Sequence, residues 1–277
     1  MEPRSPSLEP YLARVGFEGV PAPDLDTLTR LHALHTRAIP FENLSAFLGE
    51  PIRLDPAALE EKLVARRRGG WCFEQNIYFT HILRAIGFDV KTLAARVRWN
   101  VPPGVTTARS HMLMLVAVAG RRYVADVGFG GLTLTAPLEL AAGIEQATPH
   151  EPHRFATEGE RFVLQARIAG EWQALYAFDL HEQLQADYEV SNWYLANFPQ
   201  SQFVTGIIAA RADVGERHAL RNTRYAIHRA GGETERRFLG TVAEVKAVLR
   251  EAMRIPLPGH PDLDARIQSM IAANPSS

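Results

Sequence analysis

The single cysteine of the chain, Cys72, has the sequence setting that most favours chemistry. It follows an Arg-Gly-Gly-Trp segment and stands where the pattern predicts the start of a helix that ends before Gly87. Free backbone N–H groups and the positive end of the helix dipole favour a thiolate there, and the N–H groups could stabilise an oxyanion. A free cysteine is otherwise most often a small buried hydrophobe, so the neighbouring residues must decide its role.

A histidine and an aspartate are predicted to lie close together on two neighbouring strands. His111 is the polar residue at the head of an apolar run typical of a strand that is buried on both faces. A two-residue turn at Ala119-Gly120 leads into a second strand that carries Asp126. This turn places Asp126 opposite Leu113 and makes His111 its diagonal neighbour on the same face of the sheet. A register slip of one residue would put the pair on opposite faces.

A thiol, an imidazole and a carboxylate permit a catalytic triad of Cys72, His111 and Asp126. Such a triad supports transfer of an acyl group through a thioester. The same residues would also serve a cysteine amidase or a transglutaminase-like enzyme that uses water or another amine as the acceptor. A non-catalytic binding protein on the same fold is the third reading, and the presence of all three residues argues against it.

The remaining histidines do not suggest a metal site, and no metal is expected. None has an HExxH context, and a single cysteine excludes both an intrachain disulfide and a four-cysteine zinc site. His32 and His35 are assigned to an N-terminal helix, and His150 and His153 to a loop around Glu151-Pro152. Walker and GxGxxG motifs are also absent from the sequence, which argues against nucleotide hydrolysis and nicotinamide chemistry.

Composition limits the classes of protein that fit the chain. It has 277 residues, 46% of them hydrophobic, and a net charge of -1, which argues against nucleic acid as a partner. Apolar runs are too short for a membrane span, and the polar residues 1–6 do not resemble a signal peptide. The expected location is therefore the cytoplasm.

Hydrophobic periodicity predicts an α+β chain with a helical first third, a β middle and a mixed end. Helices are predicted over residues 28–37, 57–67, 72–86 and 242–253, the last of them closing the chain. Strands are predicted over residues 92–99, 111–118, 122–127, 161–168, 172–178, 225–229 and 236–239.

Several sequence blocks, taken in order, resemble the arylamine N-acetyltransferase family. The block around the cysteine, Arg68 to Asn76, is similar to the active-site signature of that family. Further similar blocks are Pro40-Phe41-Glu42-Asn43-Leu44, Asp126-Val127-Gly128-Phe129-Gly130, Asn192-Trp193-Tyr194 and Phe198-Pro199-Gln200-Ser201-Gln202-Phe203. Together they cover about residues 10–205, and the match beyond is weak.

The resemblance implies an architecture and a reaction. The architecture is an N-terminal helical bundle over residues 1–87, a central antiparallel β-barrel over 88–200 and a C-terminal α/β lid over 201–277, with a cysteine-protease/transglutaminase-like core. The reaction is ping-pong: acetyl-CoA acetylates Cys72, and an arylamine, arylhydroxylamine or hydrazine then accepts the acetyl group. The preferred amine, and whether the chain is a monomer or a homo-oligomer, stay open.

The same resemblance implies roles for residues around the triad. Those expected to line the acceptor pocket are Phe41, Phe129 and Phe203. Those expected on the coenzyme A side are Trp99, Gly128, Phe129 and Gly130. Glu42 and Arg68 are expected to form an ion pair that supports the loop before the nucleophile.

Overall fold

The structure, a computed structural model, describes residues 8–102 and 104–274. Residues 1–6, on which the expectation about a signal peptide rests, lie outside this range. Residue 103 also lies outside it. None of the helices in the described ranges is long and apolar enough to cross a membrane.

The first third of the chain is mainly helical, as predicted. Its helices are α1 Leu8–Val15, α2 Leu25–Ala38, α3 Leu44–Leu48, α4 Pro56–Glu60 and α5 Cys72–Ile86. Asp55 caps α4 by accepting a hydrogen bond from the N–H of Ala58 at 3.0 Å, and a π-helical turn, Glu61–Ala65, extends this helix. A two-residue strand that the periodicity missed, β1 Phe41–Glu42, precedes α3.

The middle of the chain forms a seven-stranded antiparallel sheet that curves into a half-barrel, in the order β5-β4-β3-β2-β8-β7-β6. Its strands are β2 Asp89–Val97, β3 Arg109–Val118, β4 Arg121–Ala125, β5 Leu138–Glu139, β6 His153–Glu158, β7 Arg161–Ile168 and β8 Glu171–Glu182. Buried apolar residues of this sheet form one core cluster, which includes Leu113, Leu164 and Tyr176.

The register between β3 and β4 agrees with the predicted hairpin. Met114 pairs with Ala125, and Val118 pairs with Arg121 across the turn. The two turn residues have φ angles of 48° and 76°, as expected for a tight two-residue hairpin. Asp126 therefore lies one residue beyond the end of β4, in the position that the predicted register assigns to it.

A five-stranded antiparallel sheet dominates the last third of the chain, in the order β1-β9-β10-β11-β12. Its later strands are β9 Ile208–Asp213, β10 Glu216–Arg221, β11 Arg224–Arg229 and β12 Thr234–Phe238. Because β1 pairs with β9, the N-terminal region contributes a strand to the C-terminal sheet. The division of the chain at 87 and 200, the lid and the protease-like core stay predictions.

The remaining helices correct the sequence prediction. They are α6 Gln185–Asn197, α7 Gln202–Thr205, α8 Val242–Ala247 and α9 Leu263–Ala273. The prediction that the helix over 242–253 closes the chain is wrong, because α9 follows a proline-rich stretch. The reason is that α9 buries Leu263, Ile267 and Met270, spaced at one and two helical turns, in the C-terminal core.

Candidate active site

Cys72 lies at the first position of α5 and is 7% exposed. Its Sγ lies 3.8 Å from the carbonyl oxygen of Ser110 on β3. At the same helix start, the Glu74 carboxylate accepts the N–H of Trp71 at 3.1 Å. The thiol therefore lies between the start of α5 and the head of β3, as the sequence predicted.

A close approach between two segments brings the half-barrel to Cys72. A side chain at Gly128 would place its Cβ 2.8 Å from the Cα of Cys72, which is too short for a real contact. Glycine at this position thus allows the loop after β4 to pack directly on the first turn of α5. This contact joins the strand that carries the carboxylate to the helix that carries the thiol.

His111 and Asp126 form a buried pair, with 2.7 Å between Nε2 of the ring and Oδ2 of the carboxylate. The predicted proximity of the two side chains is confirmed. Burial by itself lowers the pKa of His111, but the charge and hydrogen bond of Asp126, followed by contacts with Cys72, raise it above its ordinary value. The ring therefore holds its proton between the Asp126 carboxylate and the Cys72 sulfur.

Three neighbouring groups form hydrogen bonds with the Asp126 carboxylate. Oδ1 accepts from the Asn76 amide at 2.9 Å and from the N–H of Gly128 at 3.0 Å, while Oδ2 bonds to His111. Burial raises the pKa of Asp126, but the His111 charge and these hydrogen bonds together lower it below its usual value. The carboxylate is therefore ionised although it is fully buried.

Asn76 connects the two halves of the site more closely than the sequence indicated. Besides Asp126, its amide donates to the carbonyl oxygen of Met112 at 2.6 Å. Its own oxygen accepts the N–H of Val127 at 2.9 Å. One side chain in the second turn of α5 thus bonds both β3, which carries His111, and the segment after β4, which carries Asp126. The family-like block contains Asn76, but nothing in the spacing revealed these partners.

Tyr176 is a site residue that the sequence reasoning missed. Its ring lies 4.9 Å from the His111 ring and 5.1 Å from Phe129, between centroids. Burial, and then the neighbouring Asp126 carboxylate, raise the pKa of Tyr176, although its hydroxyl lacks well-formed hydrogen-bond geometry. Strand alternation could have placed Tyr176 inside the half-barrel, but it could not have placed it beside the triad.

The predicted acceptor-pocket residues divide into two groups. The Phe129 ring lies 5.0 Å from His111 in an edge-to-face arrangement. The Phe203 ring lies 5.2 Å from Trp71 and 6.4 Å from Phe41, so these three aromatics meet beside the start of α5. Phe41 is only 8% exposed and belongs mainly to the core. Phe129 and Phe203 are the more accessible members.

The residues predicted for coenzyme A also occupy different settings. Gly128 and Phe129 lie beside the triad, and Gly130 has a φ of 92°, a conformation that favours glycine. Trp99 packs against the half-barrel core beyond the end of β2, where its N–H bonds the carbonyl oxygen of Leu175 at 3.0 Å. The structure thus places the glycine loop, and not Trp99, in direct contact with the triad residues.

The expected ion pair between Glu42 and Arg68 is confirmed. Arg68 donates to one carboxylate oxygen of Glu42 through Nε at 3.0 Å and Nη2 at 2.8 Å. Lys62 forms a second pair with Glu74 at 2.6 Å, and Glu74 also bonds the N–H of Trp71. Both pairs fix the loop that leads into Cys72.

Comparisons with known proteins identify the family that this chain resembles over most of its length. A family model described as N-acetyltransferase matches residues 24–261. An arylamine N-acetyltransferase of Escherichia coli is 43% identical over 248 residues, which cover 89% of this chain and 88% of the relative. An arylamine N-acetyltransferase / N-hydroxyarylamine O-acetyltransferase of Salmonella typhimurium is 38% identical, covering 96% and 95%. Mycobacterium marinum arylamine N-acetyltransferase, solved in complex with CoA, has a TM-score of 0.91 at 40% identity, covering 95% and 99%.

Proposed function

Because the chain belongs to the arylamine N-acetyltransferase family and is an acyltransferase, we propose that it moves an acetyl group from acetyl-CoA to an arylamine through an acetyl-Cys72 thioester. The observation that carries this proposal is the buried His111–Asp126 pair in contact with the only thiol of the chain. In the proposed triad, Cys72 is the nucleophile, His111 moves the proton and Asp126 orients the ring.

In the first half-reaction, Cys72 attacks the carbonyl carbon of acetyl-CoA as a thiolate, its proton having already passed to His111. Backbone N–H groups at the start of α5 stabilise the oxyanion of the tetrahedral intermediate. The carbon–sulfur bond to coenzyme A then breaks, and the leaving thiolate takes a proton from the His111 imidazolium. The products are free coenzyme A and acetyl-Cys72, with a neutral imidazole that is ready to act as a base.

In the second half-reaction, the nitrogen of the amine attacks the carbonyl carbon of acetyl-Cys72. Neutral His111 accepts the proton that the nitrogen loses as the new bond forms. The sulfur leaves as a thiolate, and the imidazolium of the resting enzyme returns. Arylamines suit this step because aniline-type nitrogens are weakly basic and largely unprotonated near neutral pH.

The surroundings of the triad support an aromatic acceptor. Phe129 lies against the proposed base, and Phe203 lies beside the helix start with Trp71 and Phe41. The Salmonella relative is named for N-hydroxyarylamines as well as arylamines, so we extend the proposed acceptors to arylhydroxylamines and hydrazines. These phenylalanines, with Phe41 in a supporting position, would contact the aromatic ring of the acceptor.

Coenzyme A is proposed to lie along the glycine-containing loop after β4. Gly128, Phe129 and Gly130 belong to this loop and lie next to the nucleophile. The Mycobacterium marinum relative was solved with CoA, which supports the same ligand here. Trp99 would contact coenzyme A farther from the sulfur. A cytoplasmic location and a possible homo-oligomer remain predictions from the sequence.

Intact mass spectrometry tests this function directly. Incubation with acetyl-CoA alone should add a single acetyl group, and Cys72→Ala should prevent the addition. An arylamine added afterwards should discharge the adduct and yield its N-acetyl derivative.

Two outcomes would contradict the proposal. Rapid loss of the adduct to water without an amine would favour the amidase-like alternative. If the folded protein formed no adduct near neutral pH, a non-catalytic binding protein would be the better reading.

A further inference from the structure

Two histidines of α2 lie at the back of the proposed site. His32 and His35 are three residues apart, so both face the same side of the helix, and both are fully buried. Their rings contact Phe79 of α5 edge-on, with centroid distances of 6.2 Å and 5.1 Å. The mechanism does not use either residue, and no sequence pattern singled them out.

The partner of His32 fixes the protonation state of its ring. Its Nε2 lies 3.2 Å from the backbone nitrogen of Asp126. A backbone N–H can only donate, so Nε2 must carry the lone pair and the proton must lie on Nδ1. Neutral His32 therefore holds the backbone of Asp126 at the point where β4 ends.

A second chain of hydrogen bonds runs from α1 through His35 to the loop before Cys72. The Gln75 amide donates to the carbonyl oxygen of Gly70 at 2.7 Å, so its own oxygen must accept from Nε2 of His35, 3.2 Å away. Nδ1 of His35 then accepts the hydroxyl proton of Tyr11 at 3.0 Å. Every donor and acceptor in this chain of hydrogen bonds has a partner only if His35 is neutral.

We propose that His32 and His35 are positioning residues, which act as neutral hydrogen-bond partners to set Asp126 and the Cys72 loop at the correct separation. His32 holds the carboxylate side through the Asp126 backbone. His35 holds the nucleophile side through Gln75 and Gly70. Residues of one helix, α2, thus form hydrogen bonds toward both halves of the site. The inference rests on the function proposed above.

The surroundings of His32 explain why its neutral form is required. Burial lowers the pKa of His32 to about 4 and that of His35 to about 3. A protonated His32 would direct a second N–H at the backbone N–H of Asp126 and break the bond. Its charge would also compete with His111 for the Asp126 carboxylate. A charge on His32 would in turn disfavour a charge on His35, and Arg14 lowers the pKa of His35 in the same direction.

Two substitutions of His32 separate positioning from general stability. His32→Leu removes the acceptor but keeps a buried side chain of similar size. His32→Gln presents an amide oxygen near the place of Nε2 and cannot be protonated. His153→Leu is the matched control, because His153 is equally buried but its ring nitrogens have no hydrogen-bond partner among the described residues.

Two readouts report on the site without acetyl-CoA. A negative result in them would contradict the positioning role without contradicting the proposed function. The first is the rate at which iodoacetamide alkylates Cys72 in the folded protein. The second is the proton NMR resonance of His111 Nε2–H, which the bond to Asp126 moves downfield. We expect His32→Leu to slow alkylation about tenfold and to shift this resonance, since one buried hydrogen bond is lost. His32→Gln and His153→Leu should preserve both readouts.

The proposal is overturned if His32→Leu alkylates at the parent rate with an unchanged His111 resonance. His32→Gln is expected to fold even where His32→Leu does not. The proposal is also overturned if His32→Gln slows alkylation of Cys72 and shifts the His111 resonance as much as the loss of the acceptor is expected to do.

Discussion

In each of two buried clusters among the described residues, a histidine lies near a charged side chain. The two clusters differ in the sign of that charge. His111 lies beside the Asp126 carboxylate in the proposed site. His153 lies at the start of β6, close to Arg217 of β10, whose guanidinium pairs with Glu151 at 2.7 Å. Both rings are nearly or fully inaccessible to water.

The same residue type at the same depth therefore has opposite protonation in the two clusters. Burial lowers the pKa of both rings, but Asp126 reverses the effect for His111, whereas Arg217 reinforces it and leaves His153 with a pKa of about 4. Burial alone thus does not decide the charge of a histidine. For His111 the adjacent carboxylate outweighs burial, whereas for His153 burial and Arg217 together outweigh Glu151. Only the first arrangement can protonate a leaving group at neutral pH.

Removal of the thiol should produce the largest effect, because only the first cluster contains one. Cys72→Ala is expected to abolish acetylation and amine turnover completely, with an unfolding midpoint close to that of the parent. Intact mass and thermal unfolding measure the two properties. Residual acetyl transfer at a measurable fraction of the parent rate would remove Cys72 from the mechanism.

Asp126→Asn should remove the negative charge that lies beside His111. Loss of the carboxylate in a comparable triad lowers kcat by about 10⁴-fold, and we expect a loss of at least roughly 10³-fold here. The amide would also present a donor where His111 needs an acceptor, so some stability should be lost. Steady-state kinetics on the folded fraction provides the measurement. Turnover within tenfold of the parent would show that the assignment of Asp126 is wrong.

Glu151→Gln makes the matched change in the second cluster. Arg217 is 2% exposed, so its charge would remain buried without its partner. We expect the free energy of unfolding to fall by on the order of 3 kcal/mol. Acetyl transfer per folded molecule should stay at the parent value. Denaturant unfolding and kinetics together test this. A strong loss of kcat without a loss of stability would contradict the claim that only the first cluster takes part in catalysis.

Mild acid should produce the smallest effect. The pKa values of His32 and His153 fall from 6.5 to about 4, and that of His35 to about 3. Between these limits the unfolded chain binds more protons than the folded one, so stability should decrease as pH falls from about 6.5 to about 4. His111 does not contribute to this decrease, because its raised pKa stabilises the fold at acid pH and loses that effect only as pH rises.

Unfolding midpoints across this range measure the trend, and His153→Leu should make it shallower. Midpoints that stay constant from neutral pH down to about pH 4 would contradict the neutral assignment of these three histidines.

Local sequence signals were sufficient to predict the centre of the site. The turn residues Ala119-Gly120 fix the β3–β4 register, and the register brings His111 next to Asp126. The start of α5 at Cys72 was likewise visible from the glycines before it and after it. These features depend on short-range geometry, which a sequence records directly.

The surrounding residues depend on long-range packing and could not be predicted in the same way. His32 contacts Asp126, 94 residues away in the sequence. His153 was assigned to a loop but begins β6, and this correction has a tertiary cause: the strand pairs with β7, where His153 lies opposite Ala166. The pairing of β1 with β9 joins segments that the periodicity treated as unrelated. No local pattern contains such contacts.

The most direct test of the central claim is the protonation state of His111 in the free enzyme at neutral pH, measured by ¹⁵N NMR of the imidazole nitrogens. The expected result is that both nitrogens of His111 carry protons, while His153 in the same sample carries only one. A neutral His111 ring at neutral pH would contradict the claim, because the thiol would then lack the imidazolium that the proposed mechanism requires.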